Sequence, residues 1–211
     1  MSQAEEYRVC PFELCLDASL WVDNIICDYN YVFDPNVYLK RFFAEGGKGD
    51  YIFLIDEAHN LVERGREMYS AALYKESFLE MKKIFKPHSR KVVKQLESCN
   101  RHLLEMKREC EKYMELTNIG PLIFSLMNLG AAMEEFLQNN GELPEKKQVL
   151  DFYLELRHFL NMHERLDENY VIYTQHEEDG RFQLKLYCVN PSVNLQECLN
   201  KGRSAVFFSA T

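Results

Sequence analysis

Two short stretches carry the residue types that work on a phosphate would need. Asp56-Glu57-Ala58-His59 follows directly on Tyr51-Ile52-Phe53-Leu54-Ile55, a continuously apolar run of the kind found in a strand covered on both faces of a parallel sheet. A carboxylate at the carboxyl end of such a strand points into the ligand crevice of an open α/β sheet. There Asp56 can hold Mg²⁺ against the phosphates of a nucleotide and Glu57 can polarise an attacking water. His59 can pass the nucleotide state on to other parts of the fold. The plain alternative is an acidic helix N-terminus, where the macrodipole favours Asp and Glu. The apolar run in front of the motif favours the chemical reading. Ser209-Ala210-Thr211 closes a second apolar run, Ala205-Val206-Phe207-Phe208, in the same way. Its hydroxyls could hydrogen-bond the acidic motif and register a γ-phosphate. The alternative there is an ordinary polar strand end.

The elements that must position these motifs read as α/β, then helical, then α/β again. A short helix over 11–22 precedes Asn24-Ile25-Ile26-Cys27-Asp28, which reads as a buried strand. Asp34-Pro35 has the form of an N-cap with proline at the first helical position and predicts a helix to about Ala44, broken by Gly46, Gly47 and Gly49. From about Lys75 to Leu166 the pattern changes. Val92, Leu96, Cys99, Leu103, Met106, Cys110 and Tyr113 alternate spacings of four and three, a heptad seam. Leu122, Leu126, Leu129, Met133 and Phe136 repeat it, as do Val149, Phe152, Leu156, Phe159 and His163. An antiparallel helical bundle is expected, with turns at 118–121 and 139–141. Tyr170 to Thr174 and Phe182 to Val189 then flank Glu178-Asp179-Gly180 as a hairpin, and a short helix over 195–199 leads to the final strand.

Bulk properties narrow the function classes. No stretch approaches the ~20 apolar residues a membrane helix needs. The seven cysteines are odd in number and form no CxxC pair, so a disulfide scaffold is not expected and a reducing, cytoplasmic setting fits. Cys99 and Cys110 fall on the seam and Cys27 in the apolar run, so all three read as core packing. His158 and His163 are five apart on one helix, a poor spacing for a shared metal, and His163 reads as a partly buried packing residue. A net charge of −8 opposes a wholly nucleic-acid-binding surface. One basic strip stands out: Lys82, Lys83, Lys86, Arg90, Lys91 and Lys94, with no acid between them. It could follow a phosphate backbone, with Phe85 stacking on a base. Alternatively it is a solvated helix face with Phe85 as its anchor.

DEAH followed much later by SAT resembles the motif II and motif III pair of superfamily 2 helicases. The long helical section between them resembles the XPD/DinG branch, with its arch insertion. Cys10-Pro11-Phe12-Glu13 is similar to that family's segment at the last iron–sulfur cysteine. Asp28-Tyr29-Asn30-Tyr31-Val32-Phe33-Asp34-Pro35 is similar to the stretch before motif II, and Leu186-Tyr187-Cys188-Val189-Asn190-Pro191-Ser192 to the lead-in to motif III. The resemblance implies a partial RecA-like motor lobe over 1–74, a large all-α arch over 75–168 and a return to the lobe over 169–211. It makes Asp56 a Mg²⁺ ligand through water, Glu57 the water-activating base, and His59, Ser209, Ala210 and Thr211 the coupling residues. Cys10 would be the fourth ligand of an iron–sulfur cluster, or else a small buried apolar residue. The implied cofactors are ATP and Mg²⁺, and the implied partners are single-stranded DNA and the remainder of the helicase chain.

The phosphate cradle G-x-x-x-x-G-K-[ST] is missing, since Gly46-Gly47-Lys48-Gly49 has neither the leading glycine nor the trailing hydroxyl. The chain therefore reads as an internal piece of an ATP-dependent, 5′ to 3′ DNA helicase of repair or replication, inactive by itself. Its sheet strands are expected to be poorly covered or to swap between copies. The rival reading is a non-catalytic helical module that docks protein or DNA.

Overall fold

The computed structural model describes residues 2–44, 49–139, 143 and 145–210. The chain opens with α1 (Ser2–Tyr7), α2 (Pro11–Ala18), a 3₁₀ turn (Ser19–Trp21), and two single-turn helices, α3 (Asn30–Phe33) and α4 (Lys40–Phe43). Strand β1 (Ile52–Ile55) leads through a 3₁₀ turn into α5 (Leu61–Met68), followed by β2 (Ala71–Tyr74). Then come α6 (Lys75–Phe85), α7 (Arg90–Glu109), β3 (Tyr113–Leu116), α8 (Gly120–Asn139) and α9 (Lys146–His163). The chain closes with β4 (Tyr170–His176), β5 (Phe182–Cys188), α10 (Ser192–Leu199) and β6 (Ser204–Phe207).

The bundle forms where the seams predict it. Ser89 caps α7 by accepting the Val92 N–H at 3.3 Å, which satisfies one of the donors a helix start leaves orphaned. Asn118 Oδ1 accepts the Gly120 N–H at 2.7 Å ahead of α8. Val92, Leu96, Cys99 and Leu103 of α7 are fully buried, as are Leu126, Leu129 and Met133 of α8 and Val149, Leu156 and Phe159 of α9. Each such side chain contributes roughly 1.5–3 kcal/mol on leaving water. Phe78 meets Phe152 and Phe85 meets Phe136 edge-on, both with ring centroids 5.1 Å apart. Phe85 is therefore a core anchor and is not available to a base.

The seam on α7 ends earlier than its spacing suggests. Tyr113 lies on β3, half exposed, and stacks obliquely on Tyr173. Strand β3 pairs with β4 in a four-stranded antiparallel sheet of order β2-β5-β4-β3. The segment over 75–168 is thus not all-helical: it contributes an edge strand to a sheet whose other members flank it in sequence. Phe182, Leu184, Leu186 and Cys188 alternate along β5 with no exposure, the period of a strand pressed on one face against α6 and α9. The β4–β5 hairpin turns at Gly180, whose φ of 83° suits a residue without Cβ.

The α/β part departs further from expectation. Strands β1 and β6 pair in parallel, Ile52 with Ser204 through Ile55 with Phe207, and form a two-stranded sheet. One face buries Phe53 and Ile55, while Ile52 (62% exposed) and Leu54 (69%) face outward, so β1 is not covered on both faces. Val206, Phe207 and Phe208 are exposed too, which meets the expectation of poorly covered strands. Asn24 to Asp28 is no strand. It has no strand partner among the described residues, with Ile26 fully exposed and Cys27 at the surface rather than in a core. An apolar run becomes a strand only where a neighbour takes its backbone hydrogen bonds.

The helix expected from Asp34 to Ala44 is broken into a turn at 35–37 and the single-turn α4. Asp34 Oδ1 accepts the Asn36 N–H at 2.8 Å and the Tyr38 N–H reaches the Asp34 carbonyl, but Leu39 donates back to Tyr31 and ends the run. The expected glycine break at 46–47 and the turn at 140–141 lie outside the described residues. Phe33, Phe53 and Ile55 join the same hydrophobic core as the bundle residues, so the two parts share one interior.

Candidate functional site

Parallel pairing of β1 with β6 brings the two motifs together. Ile55 sits opposite Phe207, and the pairing continues past both strands through the Phe208 N–H to Ile55 carbonyl bond (3.0 Å) and the Ala58 N–H to Phe208 carbonyl bond (3.1 Å). The chain turns sharply at Glu57, which adopts the left-handed conformation at φ 48°, ψ 41°. For a residue with a Cβ that conformation costs about 1–2 kcal/mol, and neighbours must hold it. Asp56 Oδ1 accepts the Glu57 N–H at 2.8 Å, and Asn60 donates to the Glu57 carbonyl at 2.9 Å. The Tyr29 hydroxyl is shared between the carbonyls of Asp56 and Glu57, the latter at 2.9 Å. Burial, with the nearby charges of Asp56 and Glu57, pushes the Tyr29 phenol up, so it remains a donor.

His59 Nδ1 lies 3.1 Å from Ser209 Oγ and 3.5 Å from Glu57 Oε2. One imidazole therefore touches both the acidic motif and the SAT segment. Ala210 is exposed beyond Ser209, and Thr211 lies outside the described residues. The Asp56 carboxylate is exposed and that of Glu57 half-buried, at an open strand end. A cleft of about 630 Å³, lined in part by Phe12, Tyr31, Tyr38 and Arg41, includes neither carboxylate. The acidic motif outranks it as the candidate site because its groups can do chemistry and the cleft's are tied up structurally, Arg41 in ion pairs with Glu13 and Asp17.

Asp56 and Glu57 are hard oxygen donors, which fits Mg²⁺, an ion that keeps several waters and takes one or two carboxylates plus phosphate oxygens. Among the described residues no group of three His, Cys, Asp or Glu is gathered as a metal cage. Cys10 is exposed just ahead of α2, so it is not the buried apolar residue its alternative reading made it. An iron–sulfur cluster needs four thiolates. Cys15 and Cys27 are exposed as well, but no three such ligands converge, so the described residues do not fit a cluster.

The basic strip is split across a corner, with Lys82 and Lys83 at the end of α6, Lys86 just past it, and Arg90, Lys91 and Lys94 at the start of α7. Lys82 pairs with Glu97 at 2.8 Å and Lys91 with Glu135. The other four make no ion pair among the described residues. His163 is half-buried, and burial lowers its pKa, as expected of a packing residue. His158 holds no metal but bridges Asn36 and Ser70.

Sequence reasoning missed Tyr29. Its contact spans 27 residues and goes to backbone carbonyls, so no side-chain pattern announces it.

Residues 1–78 match the family model DEAD_2. A stretch of 70 residues is 30% identical to the Fanconi anemia group J protein homolog of Gallus gallus, covering 33% of this chain and 5% of that protein. The fold matches the structure of S. tokodaii Xpd4 with a TM-score of 0.51 and 17% identity, over 87% of this chain and 39% of that one. Over residues 1–78 the chain is similar to the DEAD_2 helicase family, and its fold is similar to that of an XPD helicase. The chain spans well under half the length of either relative. The XPD-type fold accounts for a mixed α/β architecture. No helix among the described residues is long and apolar enough to cross a membrane.

Proposed function

We propose that this chain is the motif II, arch and motif III portion of an ATP-dependent DNA helicase that translocates on single-stranded DNA, 5′ to 3′, in repair or replication. The observation that carries the reading is the contact of His59 with Glu57 on one side and Ser209 on the other. Residues 1–74 and 169–211 form part of a RecA-like lobe, and 75–168 form the arch, to which β3 adds a strand. Asp56 would hold Mg²⁺ through water, and the ion would neutralise charge on the transferring phosphoryl group. Glu57 orients and deprotonates the attacking water. Its left-handed backbone, fixed by Tyr29 and the Asp56 side chain, sets where that carboxylate points. His59 and Ser209 relay the state of the site along β6. The phosphate cradle, the second motor lobe and any iron–sulfur thiolates beyond Cys10 belong to the rest of the parent protein.

The test is ATP hydrolysis by the full-length parent, with and without single-stranded DNA, for wild type and Glu57→Gln. Loss of a general base costs about 10²–10⁴-fold, so DNA-stimulated turnover should fall by at least that order while nucleotide binding persists. No turnover by the wild-type parent under any DNA condition would make DEAH a relic and favour a docking module.

A further inference from the structure

The Tyr29 hydroxyl is one end of a run of hydrogen bonds and ring contacts along residues 29–36 that reaches the helical bundle. Tyr29 enters α3, and its ring packs edge-on against Phe33, 6.3 Å between centroids. Phe33 is buried, and its carbonyl accepts the Tyr69 hydroxyl at 2.8 Å, which pins the middle of the segment to the end of α5. Asp34 then caps the turn that presents Asn36. The Asn36 side chain docks on α9: Nδ2 lies 2.8 Å from His158 Nδ1, and Oδ1 accepts from Asn161 Nδ2 at 3.2 Å.

The proton positions on these groups follow from chemistry. His158 Nε2 faces the Ser70 carbonyl at 2.8 Å. A carbonyl only accepts, so Nε2 carries the proton and Nδ1 accepts from Asn36. Every polar atom of the Asn36 amide that the contact uses then has a complementary partner. Ser70 lies directly after Tyr69, and its hydroxyl accepts the Cys188 N–H at 3.0 Å, tying β5 to the same corner. Asn36 and His158 are 122 residues apart in sequence.

We infer that residues 29–38 are a coupling strap, with Tyr29 as a positioning residue for the DEAH turn and Asn36 as the anchor through which α9 biases that turn. This rests on the helicase reading for its enzymatic readout. A shift of α9 can reach Glu57 by this route without passing through β6, because the strap is short, capped and pinned at Phe33. The claim concerns positioning, since none of these side chains needs to touch nucleotide.

The experiment uses the full-length parent and measures ATP turnover against ATP concentration, with and without single-stranded DNA. The variants are Asn36→Ala, His158→Phe, their double, Asn161→Ala and Tyr29→Phe, each checked for an unchanged unfolding midpoint. Asn36→Ala and His158→Phe should lower DNA stimulation by about threefold to tenfold and leave basal turnover unchanged. The double should be no worse than either single change, because both cut one link. Asn161→Ala gives the same direction should His158→Phe disturb packing. Tyr29→Phe should lower kcat in both conditions with KM for ATP unchanged. An active parent whose DNA stimulation ignores Asn36, His158 and Asn161 overturns the strap alone. A parent without turnover overturns the helicase reading and the strap together.

Discussion

His59 and Ser209 are 150 residues apart in sequence and 3.1 Å apart at Nδ1 and Oγ. The β1–β6 register produces this contact, since pairing Ile55 with Phe207 leaves the residues just beyond each strand facing one another. The same imidazole nitrogen lies 3.5 Å from Glu57 Oε2, so a change at the acidic group has a direct route to the second strand.

That geometry predicts a separation of hydrolysis from movement. His59→Ala and Ser209→Ala remove the contact but leave Asp56 and Glu57 in place. In the parent protein, strand unwinding should fall about tenfold, within the usual range of coupling between sites, while ATP turnover stays within about threefold. Parallel ATPase and unwinding assays check this. Equal losses in both activities would show that His59 serves the chemical step itself.

The motifs and the helical seams were legible because each depends on residues close in sequence. Val92, Leu96, Cys99 and Leu103 needed only a period of seven to announce a buried face. The strands were harder. Tyr51 to Ile55 and Asn24 to Asp28 look alike as apolar runs, yet only the first has a partner, contributed from residue 204 onward. Strands β2 and β3 went unseen because their four residues each carry too little pattern and owe their existence to β5 and β4. At the site, the acidic motif and its SAT partner were visible, while Tyr29 was not.

The basic strip divides into paired and unpaired members. Lys82 and Lys91 are engaged by Glu97 and Glu135, whereas Lys83, Lys86, Arg90 and Lys94 make no ion pair among the described residues. Should the strip follow a DNA strand, each phosphate contact contributes about 0.7 to the slope of log affinity against log salt on single strands. Neutralising Lys83, Lys86 and Lys94 to Gln should lower that slope by about 2. Neutralising Lys82 and Lys91 should change it less, because their ammonium groups are already engaged by Glu97 and Glu135. Titrations of labelled single-stranded DNA with the full-length parent at several salt concentrations read the difference. An unchanged slope in the first set would assign the strip to solvent.

Thiol labelling should sort the cysteines by depth. Cys10, Cys15 and Cys27 are exposed, and Cys99, Cys110, Cys188 and Cys198 are buried. Burial pushes the Cys99 thiol up to about 12, leaving almost no thiolate at neutral pH. A maleimide at pH 7 should modify the first three in the folded chain and reach the other four only on denaturation, as peptide mass mapping would show. Rapid native labelling of Cys99 would contradict the α7–α8 seam.

The ion pair of Glu76 with Lys107, 3.0 Å between Oε1 and Nζ, predicts how stability depends on acid. Burial alone would raise the Glu76 carboxyl. The Phe182 N–H donating to Oε2 at 2.9 Å and the Lys107 ammonium outweigh it, and hold the group below the ordinary carboxylate value. The folded form therefore binds its proton less readily than the unfolded chain. Such a group contributes stability in full above the unfolded carboxylate range and loses it as pH falls through the lower, folded value. Glu76→Gln should remove that component, flattening the loss of stability on the acid side while lowering stability at pH 7 by about 1.5–3 kcal/mol at most, the usual worth of a hydrogen bond to a charged group. Urea unfolding from pH 7 down to pH 3 for wild type and variant measures both. Parallel curves at all pH values would mean that the carboxylate titrates alike in both states and that the contact of α6 with β5 and α7 gives no acid sensitivity.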